Sequence, residues 1–181
     1  MNYLNLFQYI ISTPIYPHYY CASVQEIPFQ KLKSIGVKCL LFDRDNTLTR
    51  HLETKTVYED LLSKLKKDFD QVLLVSNSKI NEPTQLGLSV ARTTTKKPFN
   101  FQEIYKNHID SNTKSHEICV IGDRLFTDMV LAHKNGLIGI LVKPIDVSNE
   151  DSSIRAMRAI ENFMMRKNQL QKHPYHGFLN F

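Results

Sequence analysis

The stretch KCLLFDRDNTLT, residues 38–49, decides the fold. An apolar run, Cys39 to Phe42, stops abruptly at two carboxylates one residue apart, Asp43 and Asp45, followed by Asn46 and Thr47. Such a run reads as a buried strand. Acids presented at its carboxyl end lie where parallel α/β sheets build their sites. Paired carboxylates there can bind a divalent cation and attack phosphorus, so the string points to an enzyme.

Strands and helices alternate outward from this point. Residues 37–42 read as the first strand. Tyr58, Leu61, Leu62, Leu65 and Phe69 form one apolar helix face. QVLLVSNS, 71–78, reads as a second strand and LSVAR, 88–92, as a weaker third. Phe101, Ile104, Tyr105 and Ile109 mark a helix, and EICVIGD, 117–123, is a strand ending in an acid. Phe126 to Asn135 reads as a helix with Gly136 as its stop, and LIGILV, 137–142, as a fifth strand. Alternating βα units predict a single Rossmann-like, doubly wound parallel sheet of about five strands with helices on both faces. A chain of 181 residues suffices for one such core. The expected organisation is an apolar and extended segment over 1–30, the core over 31–147, and a basic amphipathic helix and tail over 148–181.

The flanks carry their own signals. Tyr3, Leu4, Phe7, Ile10 and Ile11 repeat at helical spacing, which fits an interfacial helix or a terminal helix packed on the domain. Pro14, Pro17 and Pro28 break the next stretch into an extended connector. No charged side chain precedes Glu26: the segment is acid-poor, as a transit peptide is, but holds no arginine, and it lacks the basic start of a secretory signal. Near the other end a helix begins around Ser148–Asp151. Ile154, Met157, Ile160 and Met164 share one face, while Arg155, Arg158, Arg166 and Lys167 make the rest basic. Such a helix covers a sheet and shows water its charges, or lies on anionic lipid.

Mean hydropathy of −0.30 suits a globular protein, and the net charge of +5 suits an anionic partner or is plain solubility charge. No run approaches the roughly 18–20 apolar residues of a membrane span. Cys21, Cys39 and Cys119 form no paired framework, read as reduced core thiols and argue against zinc. Without an aromatic and basic platform, nucleic acid is not an expected partner.

The predicted strand ends bring chemistry to one edge: Asp43 with Asp45, Ser76 with Asn77, and Asp123. GDRLFTD, 122–128, adds Asp128. Oxygen donors of this kind suit magnesium: Asp43, the main-chain carbonyl of Asp45, and Asp123. Asp128 would ligate directly, ligate through water, or simply occupy the first turn of the next helix. The Ser76 hydroxyl and the Asn77 main-chain N–H offer donors to phosphate. Lys96 and Lys97 lie in TTTKKPF, where Pro98 favours an extended backbone that would aim Lys97 inward; a solvated basic loop is the alternative.

These strings resemble the four motifs of haloacid-dehalogenase-type (HAD) phosphatases, in order: FDRDNTLT, LLVSNS, KKP and GDRLFTD. Within that group they are most similar to the mitochondrial phosphatidylglycerophosphate phosphatases and their bacterial relatives, over roughly 27–147. The resemblance implies that Asp43 is a nucleophile forming an aspartyl-phosphate, and that Asp45 is general acid and then base. It implies that Ser76 and Lys97 hold phosphate, that Asp123 and Asp128 serve magnesium, and that Thr47 stabilises the turn holding Asp45. Arg44 stands where lysine is common; it and Arg124 are candidates for the substrate headgroup, and Arg44 equally for an ion pair. The short spacings from Asp45 to Ser76 and from Ser76 to Lys97 imply a capless enzyme. The implied activity is magnesium-dependent release of the terminal phosphate of phosphatidylglycerophosphate, giving phosphatidylglycerol, a cardiolipin precursor. The implied setting is peripheral contact with anionic membrane on the matrix side of the mitochondrial inner membrane. A soluble ester or a phosphoprotein fits the same chemistry. A non-catalytic membrane-binding module is a third reading, which the combination of Asp43, Asp45, Lys97 and Asp123 opposes. Nothing in the sequence sets the oligomeric state.

Overall fold

A computed structural model describes residues 14–51, 53, 55–77, 87–165 and 170–181. The apolar repeat over Tyr3–Ile11 therefore lies outside the described residues. Six strands, β1 (Tyr19–Cys21), β2 (Cys39–Phe42), β3 (Gln71–Leu74), β4 (Ser89–Val90), β5 (Ile118–Gly122) and β6 (Ile138–Val142), form one sheet. Their order is β1-β6-β5-β2-β3-β4, and every pairing is parallel.

The five predicted strands are all present, and β1 is the addition. It falls in the connector between Pro17 and Pro28 and adds an edge beside β6, with Tyr19 opposite Ile140. Three residues in a proline-rich stretch carry too little periodicity to announce a strand.

Side chains alternate across the sheet and so divide the core in two. Leu40, Phe42, Val72, Leu74, Cys119, Ile121, Ile138 and Ile140 face one way. They pack on Phe29 and Leu32 of α1 (Phe29–Ser34) and on Leu62 and Leu65 of α2 (Glu59–Asp68). Cys39, Leu41, Leu73, Val75, Ile118 and Val120 face the other way. They meet Phe101 and Ile104 of α3 (Phe101–His108) and Leu131 and Ala132 of α4 (Val130–Lys134). Strands covered on both faces read as continuous apolar runs, and each fully buried Leu or Phe contributes about 1.5–3 kcal/mol.

Two helices depart from the sequence pattern. The element expected over Phe126–Asn135 opens with a wide turn, Leu125–Met129, in which the Arg124 carbonyl accepts from the N–H groups of both Asp128 and Met129. The α-helical part is only α4, and Gly136 ends it at φ 65°, a conformation that suits glycine. The last helix, α5 (Ser152–Met165), is present but turned over. Its buried residues are Arg158 and Glu161, while Met157, Ile160 and Phe163 face outward. Of the expected apolar stripe, Met157 and Ile160 stay exposed, while Met164 near the helix end packs with Met165 on Leu125, Met129 and Leu141.

The tail beyond it returns to the first edge. Gln171 N–H donates to the Pro17 carbonyl (2.8 Å), and the Phe181 ring meets Tyr19 edge-on. Cys21, Cys39 and Cys119 are all buried and unlinked.

Candidate active site

From β2 the chain runs outward through β3 and β4 on one side, then crosses to β5 and β6 on the other. A crevice at the carboxyl ends of β2 and β5 results from that reversal. Register fixes what lines it. Phe42 pairs with Ile121 and Leu74, so the next residues along each strand are Asp43, Gly122 and Val75. The ladder continues past the strand ends: Asp43 N–H donates to the Ile121 carbonyl and Val75 N–H to the Phe42 carbonyl, both at 2.8 Å. The resulting cleft of about 210 Å³ is lined by Asp43, Asp45, Ser76, Asn77, Lys97, Asp123 and Arg124, together with His51, Thr127, Ile154 and Arg158.

Lys97 is at the centre. Its ammonium Nζ lies 2.6 Å from Asp43 Oδ1 and 2.6 Å from Asp128 Oδ1. The solvated-loop alternative is thereby removed, since Lys97 is buried. Burial pushes an ammonium toward its neutral form, but Asp128 and Asp43 together outweigh it and raise the Lys97 pKa. Asn77 positions the lysine: its Oδ1 accepts from Lys97 N–H (2.7 Å), and its Nδ2 reaches the Lys97 carbonyl (3.4 Å).

Asp43, Asp123 and Asp128 offer carboxylate oxygens within 4.8 Å of one another, all buried. Burial is the main cause that lifts Asp43 to about 8, with Lys97 opposing it and Asp128 and Asp123 adding to it. Burial likewise lifts Asp123 to about 6 against the pull of Arg158. Three buried acids around one ammonium leave negative charge uncompensated, and an all-oxygen donor set of that charge fits magnesium.

Asp128 reaches the cluster because Gly122 leaves room for it. A Cβ on Gly122 would stand 2.3 Å from Asp128 Cγ. The wide turn at Leu125–Met129 swings Asp128 under the strand end, where its Oδ2 accepts from Arg124 N–H (3.2 Å).

The loop after β2 is held by its own polar groups. Arg44 forks onto Asp45, with Nε and Nη2 at 3.1 and 2.9 Å from Oδ1. Arg44 thus takes the ion-pair alternative and is absent from the cleft lining. Arg124 does line the cleft, with its Nε on Glu161 Oε2 at 2.7 Å. Asn46 adopts φ 62°, which asparagine tolerates. Thr47 N–H and the Thr49 hydroxyl close the turn on the Arg44 carbonyl, each at 3.3 Å.

Sequence reading missed the support from α5. Arg158 Nη2 donates to Asp123 Oδ2 at 2.7 Å, and its Nε donates to Glu150 Oε2 at 2.9 Å. Glu150 Oε1 accepts both from Arg158 and from Asn46 Nδ2 (2.6 Å for the latter). An unbroken chain of polar contacts therefore joins Asn46, Glu150, Arg158 and Asp123. The available signal was Arg158 and Glu161 at i and i+3, which share a helix face. Charged residues on a surface helix normally face water, so spacing alone pointed them the wrong way.

Buried acids thus gather around one lysine at the carboxyl edge of the parallel sheet, and their oxygens could hold a metal ion. The family described as mitochondrial PGP (phosphatidylglycerophosphate) phosphatase matches residues 3–145, and the chain belongs to that family. It is 27% identical over 169 residues to the chloroplastic/mitochondrial phosphatidylglycerophosphate phosphatase 1 of Arabidopsis thaliana, covering 84% of this chain and 48% of that protein. It is 26% identical over 166 residues to the chloroplastic phosphatidylglycerophosphate phosphatase 1 of Chlamydomonas reinhardtii, covering 83% and 61%. It is 30% identical over 129 residues to the mitochondrial phosphatidylglycerophosphatase GEP4 of Saccharomyces cerevisiae, covering 60% and 68%. The chain thus spans about half the length of the plant relative and about three fifths of the algal one. No solved structure matches it.

Proposed function

We propose that this chain is a magnesium-dependent phosphatase that hydrolyses the terminal phosphate monoester of phosphatidylglycerophosphate, at a membrane surface on the matrix side of the mitochondrial inner membrane. The observation that carries the reading is convergence. All four motif segments meet in one cleft, with Lys97 Nζ 2.6 Å from Asp43. Family membership supports the substrate.

The roles come from the family resemblance, and the placement of these residues in one cleft supports them. An Asp43 carboxylate oxygen attacks phosphorus, and the bond from phosphorus to the glycerol oxygen breaks. Asp45, at the cleft wall, gives its proton to the leaving alkoxide and then takes one from water. That water's oxygen attacks phosphorus, releasing inorganic phosphate and restoring Asp43. Lys97 balances charge on the phosphoryl oxygens, and Ser76 and Asn77 face the same cleft. Asp43, Asp123, Asp128 and the Asp45 main-chain carbonyl would hold magnesium. Bound there, it would supply positive charge to the phosphoryl group.

Among the described residues, α2 is the one helix between Asp45 and Ser76, and no separate domain stands over the cleft. An open cleft suits an ester carried on a bulky lipid. The test is to offer the purified protein phosphatidylglycerophosphate in mixed micelles beside soluble phosphate monoesters. The expected result is a strong preference for the lipid. Rapid release from soluble esters with none from the lipid would reject the substrate.

A further inference from the structure

The two faces of α5 are reversed with respect to an ordinary surface helix. Arg158 and Glu161, 7% and 3% exposed, point into the protein and bond to Asp123, Glu150 and Arg124. Met157, Ile160 and Phe163, 38%, 52% and 66% exposed, point out. Ala156 and Ala159 are exposed between them, and this arc carries no charge. A surface helix of a globular domain normally turns its apolar stripe to the core. Here ion pairs anchor the inner side, and Met157 and Ile160 stay exposed on the outer side.

Three features say what meets this exposed face. The first is location: the inner side of the same helix, through Ile154 and Arg158, lines the catalytic cleft. The stripe's partner therefore sits beside the place where substrate enters. The second is continuity. A groove of about 360 Å³ shares Asp123 and Arg158 with the cleft and runs between α5 and the end of β6. Its walls are largely apolar, including Leu141, Pro144 and Met165, and its rim exposes Tyr20 and Val147. The third is charge. Arg158 and Glu161 are neutralised internally, which leaves Arg155 as the exposed charge on α5. Beyond Glu161 the sequence runs to Phe181 without an acid and carries Arg166, Lys167 and Lys172. Apolar side chains flanked by cations are what an anionic lipid surface binds. No helix among the described residues is long and apolar enough to cross a membrane.

We infer that the outward face of α5, Met157, Ile160 and Phe163, is the surface by which this protein docks on an anionic phospholipid bilayer, setting the catalytic cleft at headgroup level. This rests on the reading of the substrate as a membrane lipid. Because the opposite face of the same helix holds Asp123 through Arg158, the docking element and the cation-side acid move as one piece.

The test uses the full chain and a triple variant, Met157→Ser, Ile160→Ser and Phe163→Ser, all at exposed positions away from the cleft lining. Flotation with vesicles of phosphatidylcholine and phosphatidylglycerol should recover the wild type. The triple variant should partition about tenfold less or weaker still. Its rate on vesicle-borne phosphatidylglycerophosphate should fall in parallel, with its rate on a soluble aryl phosphate unchanged. A photoreactive benzoylphenylalanine at Ile160 should label lipid. Unchanged flotation and unchanged lipid turnover in the triple variant overturn the inference. So does labelling confined to a second copy or to the chain's own residues 1–13. A wild type that floats through this face yet leaves phosphatidylglycerophosphate intact keeps the docking surface and rejects the substrate instead.

Discussion

Arg158 Nη2 lies 2.7 Å from Asp123 Oδ2, so a helix near the end of the chain holds the acid that closes β5. Both groups are buried, and Glu150 completes the set. Removing one partner of a buried ion pair leaves the other charged without compensation, at about 3–5 kcal/mol. Arg158→Met should therefore lower unfolding free energy by about that much in urea. Arg158→Lys keeps the charge but loses the fork and should fall between the two. Equal stability of Arg158→Met and wild type would show that the network contributes nothing.

Among the described residues, Lys97 is the cation that touches both Asp43 and Asp128. Replacing it removes charge from the position that the proposed mechanism gives to the phosphoryl oxygens. Lys97→Met should reduce kcat by about 10²–10³, the range seen when one transition-state donor is lost. Steady-state kinetics with saturating magnesium check this. A variant that raises KM alone would reduce Lys97 to a binding role.

Gly122 has no room for a side chain, since its Cβ would lie 2.3 Å from Asp128 Cγ. In Gly122→Ala the Asp128 carboxylate must move. The magnesium concentration for half-maximal rate should rise about tenfold, the effect of disturbing a residue that orients a metal site. The overpacking should cost about 1–3 kcal/mol. Isothermal titration with magnesium and a denaturation curve separate the two effects.

His18 supplies a pH dependence far from the cleft. Its Nδ1 accepts from Gly139 N–H at 2.8 Å, and its ring packs against His133 and His173 at centroid distances of 4.4 and 4.8 Å. Burial first, then the neighbouring histidines, push its pKa from 6.5 down to about 3. The fold therefore holds His18 neutral while the unfolded chain takes a proton below pH 6.5. Its contribution is complete at neutral pH, falls as pH drops below 6.5, and levels off near pH 3. At pH 5 the loss is about 2 kcal/mol. The stability gap between wild type and His18→Gln should narrow by that amount from pH 7 to pH 5. Comparing the two proteins cancels the opposing titration of the cleft acids.

The sheet was legible because β2, β3, β5 and β6 are buried on both faces and must be apolar throughout. The cleft acids were legible because they come directly after those runs: Asp43 one residue past Phe42, Asp123 one past Gly122. What escaped lies where local pattern and tertiary context disagree. Tyr19–Cys21 pairs only through its partner β6, and nothing in three residues between prolines declares it. Arg158 and Glu161 read as solvated charge because most helix charges are solvated; only the buried acids across the cleft make an inward arginine favourable. Asn77 was read for its main-chain N–H, yet its side chain is what clamps Lys97, a pairing across 20 positions that spacing cannot show.

The central claim is that Asp43 carries the phosphoryl group of phosphatidylglycerophosphate. The most direct measurement is phosphate release from that lipid in mixed micelles with saturating magnesium, comparing wild type with Asp43→Asn at equal folded concentration. The account predicts steady release by the wild type and a fall of at least about 10³ in the variant. Turnover by Asp43→Asn within a few-fold of the wild type would contradict it.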